Sequence, residues 1–386
     1  MYNRLCKKIL IPKLFIIMKR IFLTICTLFI FSFFSVHADQ PFSGEMSPAA
    51  VRTVCDAVAS WQIENFKKIK RNNLSWTNGA LYRGMIEWAN LEQSQEIFDF
   101  LMKIGKANRW AMASRVYHAD DICVGQAFIE MYRKYKDPRM LQPAMERAFY
   151  VASHPSDALM SKADERGKDE RWSWADALFM AAPVYAALYA ITGEQIYFDY
   201  MDREFRICTD SLYDKKEHLY YRDCMRIPLR EPNGSKQFWG RGNGWVFAAI
   251  PLVLENLPKD HPAREYYLTI FKEMAERVAD TQDKTGTWHA SLLDPVSYPD
   301  PENSVSAFFC YGLGWGIRNG YLSARKYMKV LEKGWASLVS YVDHEGKLGY
   351  VQPIGNAPRK ANAASTEVYG VGGFLLAGSE VMRLCK

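Results

Sequence analysis

Three aspartates carry the first chemical hint in this chain. Asp120 and Asp121 stand side by side in HADDICVGQ, and Asp176 stands in WSWADALFM, each ahead of an apolar run of helical length. Carboxylates offered by neighbouring elements are common equipment for acid–base work on glycosidic bonds. Trp172 and Trp174 precede Asp176, and indole walls that exclude water would raise its pKa and favour proton donation. Capping a helix is the plainer use of any one of these aspartates. WGRGNGWVF adds Arg241 between glycines, where backbone can approach a ligand and a guanidinium can grip a carboxylate with two prongs. Trp76, Trp239, Trp245 and Trp288 offer flat faces for sugar rings. Trp110, Trp172 and Trp315 add indoles, some of which must be core. His118 and His289 are candidate substrate contacts, although a lone histidine is more often structural. Arg359 and Lys360, in a Gly/Pro/Asn loop, could reach over a pocket to an acidic sugar. Glu302 and Glu367 read as helix caps.

These residues recur in a pattern. Polar clusters begin at Trp76, His118, Trp172, Trp239, Glu302 and Ser365, and each runs into an apolar stretch. Residues 177–193 and 245–257 are apolar nearly all round, as helices enclosed by other helices are. Residues 94–108, 140–153, 265–282 and 324–342 instead repeat apolar residues at three and four, the mark of helices with one wet face. Inner and outer helices therefore alternate. Six such pairs predict an all-α fold, a closed (α/α)6 barrel, with an open solenoid as the alternative. All inner helices then start at one end, where orphan N–H groups and dipoles favour anionic or hydroxyl-rich ligands. Strand signals are sparse; residues 218–223 could form a small hairpin.

The N-terminus reads as targeting rather than fold. Lys19-Arg20, an apolar run and Ser35-Val36-His37-Ala38 make a secretory signal peptide, with Met18 as the expected start and cleavage after Ala38. Residues 39–386 are expected to form one catalytic domain, exported and periplasmic, with no membrane span left after cleavage. Residues 1–38 hold six cations and no acid, matching the whole-chain formal charge of +6, so the cleaved chain would be neutral. The basic balance thus says nothing about nucleic acid, and no basic stripe is apparent. Six cysteines follow Ala38. Cys123 and Cys310 lie in apolar helical sequence and read as buried small hydrophobes. No CxxC or HExxH spacing suggests a metal. Oligomeric state is left open.

With HADDICVG, WSWADALFM and WGRGNGWV together, and GLGWGIRNGYL at 312–322, the chain resembles glycoside hydrolase family 105, and more distantly family 88, from about Trp76 to the C-terminus. The resemblance implies an (α/α)6 barrel with no metal or organic cofactor. Its implied partner is an oligosaccharide bearing a 4,5-unsaturated uronic acid at the non-reducing end, as polysaccharide lyases leave. An aspartate protonates C4 of the vinyl ether, water adds at C5, and the hemiketal opens to expel the remaining sugar. Carried onto this sequence, Asp176 is the general acid/base and Asp121, rather than Asp120, the second carboxylate. Trp174, Trp239 and Arg241 contact the sugar. Members often carry a histidine after a Leu-Tyr-Tyr stretch, but here Leu219-Tyr220-Tyr221 is followed by Arg222, which leaves the uronic acid and its neighbour open. Two other readings are an endo-α-mannanase on the same ring and a non-catalytic saccharide-binding protein.

Overall fold

In the computed structural model, which describes residues 41–68, 72–160 and 169–385, each polar cluster opens an inner helix or the turn before one. The signal segment at 1–38 lies outside the described residues. Helix α1 (Pro48–Asn65) is outer and α2 (Trp76–Glu92) inner. The alternation continues through α3 (Gln95–Ala107), α4 (Gly125–Tyr135) and α5 (Gln142–Ser153). The third inner position is split into α6 (Ala177–Met180) and α7 (Ala182–Thr192), and Pro183, which lacks an N–H, sits in the first turn of α7 where it breaks the ladder. Then follow α8 (Gln195–Leu212), α9 (Gly240–Leu254), α10 (Arg264–Asp280), α11 (Asn303–Arg318), α12 (Ala324–Ser340) and α13 (Val368–Cys385). This is the (α/α)6 toroid.

Burial follows the expected division. On α3 the core takes Ile97, Phe98, Leu101 and Ile104, one stripe of an amphipathic helix. On α9 every residue from Gly240 to Leu254 is buried. The ring closes where α13 packs on α2, and glycine makes that approach possible: a Cβ on Gly372 would stand 2.2 Å from the Ala80 carbonyl oxygen. Strands β1 (Tyr213–Asp214) and β2 (Leu219–Tyr220) form the small hairpin, pairing Tyr213 with Tyr220. Cys123 and Cys310 are fully buried, and the six cysteines among the described residues are free thiols.

The far ends of the inner helices are tied by charge. Arg83 meets Glu87 at 2.5 Å within α2, and Arg383 of α13 reaches both Glu87 and Glu380. Arg318 of α11 bonds Glu380 at 2.6 Å and Glu255, just past α9, at 3.2 Å. Burial and the charges of Glu87 and Glu380 push the Glu255 carboxyl up to about 7. The open ends, where the helices start, are left for the site.

Candidate active site

Asp120 reaches the site through a short turn. Residues Ala119–Ile122 form a 3-10 helix capped by His118, whose Nδ1 accepts from the Asp120 amide at 3.2 Å. The turn sends the two adjacent aspartates to opposite sides. Asp121 points back to Arg115, accepting from its amide at 2.7 Å and from its guanidinium Nη2 at 2.5 Å. Asp120 lines a cavity of about 360 Å³ at the start of the inner helices. This reverses the expected order of the pair: Asp120 faces the open site, and Asp121 is a structural anchor for the 115–121 connection.

Asp176 stands at the start of α6 and lines the same cavity with Trp174. Its segment is pinned from the side. Trp174 bridges Asp223, and the Ala175 amide donates to the Arg222 carbonyl at 2.9 Å. Arg222, delivered by the chain leaving β2, is held by buried Asp223 at 2.7 Å and sets its Nε 3.6 Å from Asp176 Oδ2. His118 packs on the Trp174 ring at 5.0 Å, with Nδ1 3.8 Å from Asp120 Oδ2. Burial lifts the Asp120 carboxyl from 3.8 to about 6; the Asp176 charge adds to the rise and His118 opposes it. Two carboxyls and an arginine thus share one partly dry site.

The opposite wall is the loop after Val351. Ile354, Gly355, Asn356 and Arg359 line the cavity, with Trp76 and Met180 completing it. One buried residue holds this loop. Gln352 Oε1 accepts from Trp239 Nε1 at 3.1 Å and from the Arg359 amide at 3.4 Å, while its Nε2 donates to the Ala357 carbonyl at 3.0 Å. Its amide donates to Glu302 Oε1, and its carbonyl accepts from Arg241 Nη1 at 2.7 Å and from the Tyr369 hydroxyl at 2.5 Å.

Arg241 therefore does not face a ligand. It is fully buried between the Trp239 and Tyr369 rings, and its Nη1 and Nη2 donate to the Gln352 and Pro353 carbonyls. The neighbouring glycines serve packing, since a Cβ on Gly240 would stand 2.5 Å from the His289 carbonyl oxygen. Trp245 is core, packed among Trp76, Phe179 and Phe308, and Trp288 is sealed with Nε1 on the Val278 carbonyl. Trp110, Trp172 and Trp315 are buried too. His289 bonds Asp300 and Asp283, away from the cavity, and Glu302 caps α11. Of the sequence candidates, the cavity collects Trp76, Asp120, Trp174, Asp176, Arg222 and Arg359, with His118 behind Asp120. The residues that sequence reasoning missed are Met180, Asn356 and the hub Gln352; the Gly/Pro/Asn composition of 353–358 was the available signal for a loop there.

The family model for Glycosyl Hydrolase Family 88 matches residues 54–385, the whole ring from α1 onward. The chain belongs to glycosyl hydrolase family 88. It is a glycoside hydrolase of this family, and curated relatives agree. It is 36% identical over 318 residues (80% of this chain, 84% of the relative) to an unsaturated 3S-rhamnoglycuronyl hydrolase of Formosa agariphila. It is 30% identical over 369 residues (90% and 89%) to a protein of the same name from Alteromonas sp. (strain LOR). A solved glycosyl hydrolase family 88 structure from Bacteroides vulgatus superposes with TM-score 0.79 at 29% identity, covering 87% of this chain and 99% of that one. Family 88 membership removes the non-catalytic reading and leaves the substrate to the pocket.

Proposed function

We propose that this hydrolase removes a 4,5-unsaturated uronic acid from the non-reducing end of lyase-generated oligosaccharides by hydrating the vinyl ether. The observation that carries the reading is one small cavity holding two carboxyls, Asp120 and Asp176, from adjacent inner positions, faced by Arg222 and Arg359. A cavity of about 360 Å³ suits a single sugar unit rather than a long chain. The arginines supply charge for a uronate carboxylate. The acids supply what the reaction needs. Asp176 delivers a proton to C4, and the positive charge that develops over C5 and the ring oxygen is stabilised by the second carboxylate, Asp120, in a site sheltered by Trp76 and Trp174. Water then adds at C5 and gives up its proton to Asp176. The hemiketal opens to a C5 ketone, and C1 releases the neighbouring sugar with its glycosidic oxygen.

The names of the two curated relatives support an unsaturated uronyl unit attached to a 3-sulfated rhamnose as the preferred substrate. We also propose export, with cleavage after Ala38; N-terminal sequencing of the periplasmic protein checks it. The chemical test is turnover in D2O. Hydration places one deuterium on C4 of the released uronic acid, seen by mass spectrometry. A product with no deuterium on C4 would mean ordinary displacement at C1 and would end this reading.

A further inference from the structure

A larger cavity, of about 630 Å³, lies on the flank of the ring between outer helices α3 and α5. Two segments of sequence meet there. Residues 103–109 (KIGKANR) carry Lys103, Lys106 and Arg109 and no acid; residues 134–139 (KYKDPR) carry Lys134, Lys136 and Arg139 against Asp137 alone. Neither segment is a basic stripe by itself, but the fold brings Lys106 and Arg109 of the first and Arg139 of the second to one cavity. Lys106, Arg109 and Arg139 line the cavity with Met102, Trp110 and Tyr135. Asp137 is engaged by Arg139 at 2.6 Å, and among the described residues Lys103, Lys106 and Arg109 make no side-chain ion pair. The Arg109 and Trp110 backbones both take left-handed φ values of 52° and 58°, an uncommon conformation for such side chains. A second cavity of about 510 Å³ shares Pro143 with the first and runs to Val116 and Tyr117. Tyr117 precedes His118 and Asp120, so the groove leads from the basic patch toward the chain that enters the active site.

We propose that this flank is a second carbohydrate site, which holds an anionic polysaccharide bearing uronate and sulfate groups. The proposal rests on the substrate reading above. The occupant follows from charge and shape. A local excess of cations on a chain that is neutral after Ala38 selects a polyanion, while Met102, Tyr135, Val116 and Tyr150 offer apolar surface for the C–H faces of sugars along the groove. A ligand held there keeps the enzyme beside the polymer from which its short substrates are released, without entering the catalytic cavity.

The test uses the exported chain, residues 39–386, free of the six-cation leader, titrated by calorimetry with a sulfated rhamnose–glucuronate polymer, its desulfated form and neutral dextran. The same preparations are assayed for hydrolysis of an unsaturated disaccharide. Wild type binds the sulfated polymer, more weakly when desulfated or at high salt, and does not bind dextran. Lys106→Glu/Arg109→Glu lowers the association constant about tenfold, because each exposed ionic contact contributes up to about fivefold, and leaves disaccharide turnover unchanged. Should the Glu pair lower the melting temperature, Lys106→Gln/Arg109→Gln gives a smaller loss in the same direction. Equal binding by wild type and variants overturns the proposal. So does wild-type binding to anionic phospholipid vesicles with none to the polymer. Polymer binding without disaccharide turnover overturns the substrate reading and leaves the groove standing.

Discussion

Replacing Gln352 by alanine tests whether the wall formed by 353–359 is held from below. The side chain receives the Trp239 indole N–H at 3.1 Å and donates to the Ala357 carbonyl at 3.0 Å, while the contact with the Arg359 amide is long at 3.4 Å. Truncation leaves two good partners stranded in a site where Gln352 itself is fully buried. Each stranded group costs about 1–3 kcal/mol, so the loop is destabilised by about 2–6 kcal/mol in its bound conformation. Substrate must then reorder the wall as it binds, and about 2 kcal/mol of that cost raises KM roughly 30-fold. The acids stand on the other side of the cavity, so kcat should fall by no more than about threefold. Gln352→Met, which fills the volume without the amide, should match Gln352→Ala in KM. Initial rates followed by loss of the vinyl-ether absorbance, with melting curves as control, measure both constants. A lowered melting temperature with unchanged KM, or a large fall in kcat at constant KM, would refute the positioning argument.

Asp176→Asn should lower kcat by about 10²–10⁴ with the melting temperature preserved, because only the proton donor is lost; residual turnover close to wild type would remove Asp176 from the chemistry. Asp120 offers a pH signature. With its carboxyl lifted from 3.8 to about 6, the folded protein keeps a proton that the unfolded chain loses between those values, so this group's contribution to stability falls as pH rises through that window. Asp120→Asn should therefore be more stable than wild type by about 2–3 kcal/mol at pH 7 and nearly equal to it below about pH 4, in urea melts. The same variant should lose the acid limb near pH 6 in kcat/KM. Gly372→Ala forces a methyl to 2.2 Å from the Ala80 carbonyl oxygen and should cost about 3 kcal/mol or more of stability by thermal melting. A neutral effect would mean that α2 and α13 can part easily.

The ring was legible because burial is periodic: α3 shows one apolar stripe and α9 none, and that contrast alone separates outer from inner helices. The site was legible in part. Asp176 and Trp174 share one short segment, and Arg222 departs from the usual histidine at a recognisable place. Which of two adjacent aspartates faces the cavity could not be read, because a 3-10 turn swings neighbours widely apart and Arg115, six residues before Asp121, decides the matter. Arg241 misled for a related reason. Glycine beside arginine marks close backbone approach, yet the approaching backbone is the protein's own, the Gln352–Pro353 segment. Long-range partners of that kind, more than 100 positions away, leave no local trace.

The order of the ring along the chain sets an order in time. Asp120, Asp176 and Arg222 leave the ribosome well before Gln352 and Arg359, and α13, 18 residues long, follows those two to meet α2, the first inner helix. At about 5–20 residues per second the acids wait on the order of ten seconds for the opposite wall. Until then no pocket exists, and the flanks of α2 and α11 that α13 covers lie open. Without Val368–Cys385 the chain would keep Asp120 and Asp176 and still have no enclosed site, so this late-made helix is the one that turns a row of hairpins into an enzyme.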